Sequence, residues 1–139
     1  MPNIHPFLVH FPIALLTVSV LTDIVALAAR RPSWHSFAWW LQIIGTVGMF
    51  AAVATGLQAE ATVFIPEAAH ALFELHEQLA FAGSAAFTVV FLWRIAKRGS
   101  LPENKLAGFI ALEILAMSLL LSAAWFGGEL VFSYGVGVR

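Results

Sequence analysis

Four long apolar runs make up most of the chain, and three short polar breaks separate them. A bilayer core of ~30 Å takes roughly 20 helical residues to cross. The runs near 7–29, 37–57, 69–95 and 106–126 all reach that length. The first break is Arg30-Arg31-Pro32-Ser33, the second Thr62–Glu67 with Pro66, the third Lys97–Pro102. Proline ends such runs because it restricts the residue before it and supplies no donor. Short connections make consecutive helices antiparallel neighbours. The pattern predicts an all-α, transmembrane, up-down four-helix bundle, one domain over residues 1–139. No tandem repeat or low-complexity tract is visible.

Composition strengthens this reading. Of 139 residues, 60% are hydrophobic and 11% charged, with a mean hydropathy of +0.88. A water-exposed domain carries roughly 25% charged residues, so this chain has too few to cover a wet surface. The net charge of −1 argues against a nucleic-acid partner. The absence of cysteine excludes disulfides, thiolate metal sites, iron–sulfur ligation and thioether-linked haem. The opening MPNIHPFLVHFP lacks a basic stretch and a cleavage site, so insertion without processing is expected.

Charge then sets an orientation. Six of the seven basic residues (Arg30, Arg31, Arg94, Lys97, Arg98 and Lys105) fall at the 1–2 and 3–4 connections. The positive-inside rule places these in the cytoplasm, which predicts an N-out, C-out protein with both termini facing the periplasm or its equivalent. Trp34, Trp39, Trp40 and Trp93 form the expected inner aromatic belt, Trp125 and Tyr134 the outer one. Small residues at spacing four, Gly48, Ala52 and Gly56 on the second span and Ala80 and Gly83 on the third, suit close helix contact. They also leave room for a flat macrocycle.

Histidine carries the candidate chemistry. His5 and His10 open the first span, and His70 and His76 open the third, so all four share one end of the bundle. Imidazole is costly in hydrocarbon and usually serves a ligand, proton or cofactor there. His10 lies about 7 Å below His5 by helical rise, at a depth similar to that of His76. Spans one and three are diagonal in such a bundle, so two imidazoles can approach a central iron from opposite sides. A b-type haem with His10 and His76 as axial ligands is the leading expectation. His5 or His70 serve as substitutes or propionate contacts.

Two other readings stay open. His70, Glu74 and Glu77 share a helix face and, with His5 or His10, form an N/O set suited to Zn²⁺ or Cu²⁺. Alternatively, all four histidines are interfacial side chains. His35, beside Trp34, reads as an interfacial anchor. Asp23 and Glu113 lie about 9–12 Å deep from the basic end, where carboxylates normally face the bundle interior. Asp23 is placed to pair with Arg94, and the two acids are also placed to share a proton.

The opening His5-Pro6-Phe7-Leu8-Val9-His10-Phe11-Pro12-Ile13 and the ending Gly127-Gly128-Glu129-Leu130-Val131, then Gly135-Val136-Gly137-Val138, resemble a bacterial family of small four-helix membrane proteins. It is the family of domain of unknown function 2231. Asp23, Thr55-Gly56-Leu57 and His76 also fit its pattern. Relatives linked to Rieske or cytochrome c modules imply an electron-transfer setting. Members commonly carry a histidine before the GVGV ending, where this chain has Ser133-Tyr134. The Gly127-Gly128-Glu129 segment reads as a turn level with the histidines, with Gly128 and Glu129 near the cofactor.

Together these observations predict a haem b protein passing electrons to or from a redox partner protein or quinone. The alternatives are a cofactor-free accessory subunit of a respiratory or photosynthetic complex, a homo-oligomer included, and a metal-ion-binding protein. No nucleophile–base constellation or phosphate loop suggests a stand-alone enzyme.

Overall fold

The computed structural model describes residues 3–137. Its first span is helix α1 (His5–Leu8) followed by α2 (His10–Ala28); α3 (Trp34–Glu60), α4 (His70–Ala96) and α5 (Leu106–Phe132) are the other three. Each span is long and apolar enough to cross a membrane, and among the described residues there is no strand. Between α1 and α2, Val9 keeps helical dihedrals of φ −61° and ψ −25°, so the span continues across a break in its hydrogen-bond ladder. Pro12 supplies the cause, because it has no N–H to offer the Leu8 carbonyl. At the far end, α5 runs unbroken through Gly127 and Gly128 to Phe132. The expected glycine turn is therefore helix.

Both hairpin turns at the other end use arginine in the left-handed region, Arg30 at φ 52° and Arg98 at φ 54°. Each helix end closes with a long backbone bond, Arg31 N–H to Ala26 O at 2.8 Å and Gly99 N–H to Arg94 O at 2.9 Å. These are Schellman turns, which satisfy carbonyls a helix end would leave bare.

α2 packs closely on α3, and α4 on α5; the two hairpins then meet more sparsely through α2 with α5 and α3 with α4. Spans one and three are thus diagonal, as the up-down topology requires. The side-chain distribution is inverted relative to a water-soluble protein. Ser19, Asp23, Gln42, Thr46, Arg94 and Glu113 are buried, while Phe7, Val47 and Trp125 face outward. Lipid gives no hydrophobic drive between helices, so close packing and buried polar contacts hold the bundle.

The second hairpin repeats the first at an offset of 71 residues, a relation not visible in the bare sequence. Nine buried positions of the first hairpin (12, 16, 19, 23, 38, 42, 45, 49 and 52) have a buried counterpart 71 residues later. Aligned without a gap, residues 5–60 and 76–131 share eleven identities. The packing also repeats, with volumes exchanged. In the first hairpin Pro12 sits on Gly48; in the second, Gly83 sits under Leu119. Such a parallel repeat has its pseudo-two-fold axis along the helix direction. A layer of Leu16, Val20, Met49, Phe87, Ala116 and Leu120 fills the middle of that axis. A histidine end lies on one side of this layer and an arginine end on the other.

Candidate functional site

At the histidine end, a cavity of about 490 Å³ opens between the hairpins. That is within the ~300–1,000 Å³ usual for small-molecule and cofactor sites. His5 and His76 both line it, and each is held in the same way. His5 Nδ1 donates to Ala52 O at 3.0 Å, 47 residues on; His76 Nδ1 donates to Ala123 O at 2.8 Å, also 47 residues on. A carbonyl only accepts, so Nδ1 carries the hydrogen in both rings and Nε2 keeps its lone pair. Thr55 Oγ1, at 3.2 Å, gives His5 Nδ1 a further contact.

Glycine makes space for both imidazoles. A Cβ on Gly56 would lie 3.1 Å from His5 Cε1, and one on Gly127 would lie 2.9 Å from His76 Cε1. A methyl at either position would push the ring off its carbonyl anchor. The small stripe on the second span therefore has two uses: Gly48 takes Pro12, while Gly56 seats a histidine.

The expected partner of His76 was His10; the structure places His5 in the matched position. His10 also lines the cavity, but it is exposed, with Nδ1 bonded to Phe7 O of its own span at 3.3 Å rather than to a facing helix. Five residues are roughly 140° around a helix, which turns His10 away from the axis when His5 faces it. The axial stripe itself carried the signal: His5, Pro12, Leu16, Ser19 and Asp23 have the same spacing as His76, Gly83, Phe87, Val90 and Arg94. His70 is exposed and its Nε2 donates to Ile65 O at 3.1 Å. With Glu60, Glu74 and Glu77 it borders a cleft that adjoins the main cavity, the two sharing Glu60, Ile65, Phe73 and Glu77. Among the described residues, no three His, Asp or Glu side chains come together as an ion-binding set. Gly128 lines the main cavity, whereas Glu129 is exposed and accepts from Ser133 Oγ at 2.5 Å. A Cβ on Gly137 would meet Asn3 Nδ2 at 2.7 Å, so the opening and closing motifs lie together at this end. Val138 lies outside the described residues.

The arginine end holds a buried polar network. Arg94, counted from sequence among the connection charges, is fully buried. Its guanidinium pairs with both oxygens of Asp23, and also donates to Gln42 Oε1 at 3.3 Å, His35 O at 2.8 Å and Gly99 O at 3.0 Å. Trp39 lies against it, 5.5 Å from ring centroid to Cζ. The expected Asp23–Arg94 pair is present. His35 is more than an anchor: its Nδ1 donates to Asp23 Oδ1 at 2.6 Å, with its side chain 18% exposed. Gln42 was missed, although an amide in mid-span is itself a sign of an interior contact.

The fold and cavity together define a four-span helical membrane protein with a two-fold-related pair of histidines on its axis. The whole chain, residues 1–139, matches the family described as "Predicted membrane protein (DUF2231)", and it belongs to that family. No curated protein and no solved structure matches it.

Proposed function

We propose that the chain binds a b-type haem between its two hairpins, with His5 and His76 as axial ligands through Nε2, and carries electrons at that end of the bundle. The matched pair of imidazoles carries this reading. Each offers an unprotonated Nε2 while a backbone carbonyl fixes its tautomer and orientation, the outer-shell arrangement that metal-bound histidine uses. Two histidines suit a metal whose other ligands come from a macrocycle. They fall short of the four ligands a structural zinc site takes from protein.

The haem, when bound, supplies the reversible one-electron couple. The chain supplies the rest. Ala52 and Ala123 carbonyls orient the rings, Gly56 and Gly127 make room beside them, and Met49 and Leu120 give the cavity an apolar floor. An apolar surrounding and hydrogen bonds to the ligands both tune a haem potential. Basic connections at the opposite end favour the N-out, C-out orientation in the bacterial inner membrane, with electrons exchanged at the outer face with a protein or a quinone.

The test is an optical spectrum of protein purified from haem-replete cells. A Soret band with sharp α and β bands on reduction is expected. His5→Ala and His76→Ala should each abolish the sharp bands, while His10→Ala and His35→Ala retain them. A colourless wild-type protein, or equal spectra for all four variants, overturns the assignment.

A further inference from the structure

Glu113 lies at the arginine end, fully buried, and neither carboxylate oxygen has a hydrogen-bond partner among the described residues. Thr46 Oγ1, on the facing diagonal helix, is buried and unpartnered as well. Every other buried charge in this region is satisfied. The buried charges at the same end of the bundle are Asp23 on α2 and Arg94 on α4, and these two neutralise each other in a two-oxygen pair. Around them stand Gln42 and His35 of α3. Lys97, Arg98, Glu103 and Lys105 are exposed beyond the helix ends. An ionised Glu113 would therefore add an uncompensated negative charge inside the bundle, with no donor to hold it.

We propose that Glu113 is a proton-binding site that loads and unloads from the arginine end through His35 and Asp23. Loaded, the carboxyl is neutral and so is the cluster, with Asp23 negative, Arg94 positive and His35 neutral. His35 is the link to water, since its ring is partly exposed while its Nδ1 touches the buried acid. In loading, Nε2 of His35 gains a proton from water and Nδ1 gives one to Asp23. Asp23 then passes a proton to the Glu113 carboxylate once that side chain swings onto it, because at rest neither Glu113 oxygen has a partner, and Asp23 returns to its pair with Arg94. One N–H forms at Nε2, one is lost at Nδ1 and one O–H forms on Glu113, so a single proton enters and no electron moves. The packed layer of Leu16, Met49, Phe87 and Leu120 closes the way onward to the cavity. Loading is thus confined to one end, and the site stands whether or not the cavity takes haem.

Infrared difference spectroscopy on the full chain in lipid vesicles tests both parts. At neutral pH the wild type should show a carboxylic-acid C=O band that Glu113→Gln, an isosteric change, removes. On transfer to D₂O the band should shift, and His35→Phe should slow that shift by about a hundredfold, in the range of a lost proton-transfer group. His35→Gln provides a second variant if the phenylalanine disturbs folding. A band that survives in Glu113→Gln overturns the site. A band that never shifts in D₂O shows a sealed structural carboxyl, and equal exchange rates with and without His35 overturn the route.

Discussion

The two ends of the pseudo-two-fold axis solve the same symmetry problem in opposite ways. At the histidine end the paired positions have stayed alike: His5 with His76, Ala52 with Ala123, Gly56 with Gly127. At the arginine end they have become complements: Asp23 faces Arg94, and Gln42 corresponds to Glu113. Electrostatics accounts for the difference. Two neutral imidazoles repel little, and under the proposed function they would present one ligand with two equivalent lone pairs. Two identical carboxylates, or two guanidiniums, meeting in a dry bundle would each be a buried charge without a partner. Positions on an axis either serve a shared ligand and remain equal, or touch each other and must diverge.

The strongest way to break this contrast is at the ion pair. Asp23→Ala should cost about 3–5 kcal/mol by leaving Arg94 buried and unpaired, read as loss of thermal stability in lipid or mild detergent. The exchange Asp23→Arg with Arg94→Asp should recover much of that loss, because the two positions are equivalent about the axis. Of the backbone carbonyls that hold Arg94, that of His35 has a counterpart at Leu106, at the start of the matching helix, whereas that of Gly99 corresponds to Ala28 inside α2, so recovery should be partial. If the exchanged protein is no more stable than the single variant, the repeat does not extend to this layer.

Smaller changes sharpen the comparison at the histidine end. Gly127→Ala and Gly56→Ala each place a methyl within 2.9 and 3.1 Å of an imidazole carbon. Crowding of this kind costs about 1–3 kcal/mol. Both variants should lower haem retention to a similar degree, because the two seats are alike. An effect on only one side would show that a single histidine holds the cofactor. The smallest expected effect is at Gly108, where an added Cβ meets nothing within 4 Å. Gly108→Ala should be neutral or stabilise by up to about 1 kcal/mol through helix propensity, with an unchanged spectrum.

Much of the fold was legible because hydrocarbon imposes few solutions. Span number, antiparallel order and the Asp23–Arg94 pair all follow from the cost of leaving polar groups in lipid. The repeat was hidden because the inner stripe has diverged: of the nine matched buried pairs only Ala52 and Ala123 are identical, while other identities, such as Val18 with Val89 and Leu21 with Leu92, fall on lipid-facing positions where any apolar residue serves. Gly127 and Gly128 were read as a turn because glycine usually marks one in water-soluble chains, whereas membrane helices carry it more often. His10 looked the better ligand by depth alone. Its azimuth, set by the stripe running from His5 to Asp23, leaves it exposed while His5 faces the cavity. Glu113 was recognised as buried, but its lack of any donor needed the neighbours' positions.

The Asp23–Arg94 contact also fixes which halves are allowed to meet. Two first hairpins brought face to face would oppose acid to acid, and two second hairpins would oppose base to base; only unlike hairpins bring the opposite signs together. Copies that exchange hairpins with one another still satisfy that condition, whereas assemblies of one hairpin type do not. One buried contact thus works as a mating code, selecting mixed pairings from all those that the uniformly apolar helix surfaces would otherwise permit.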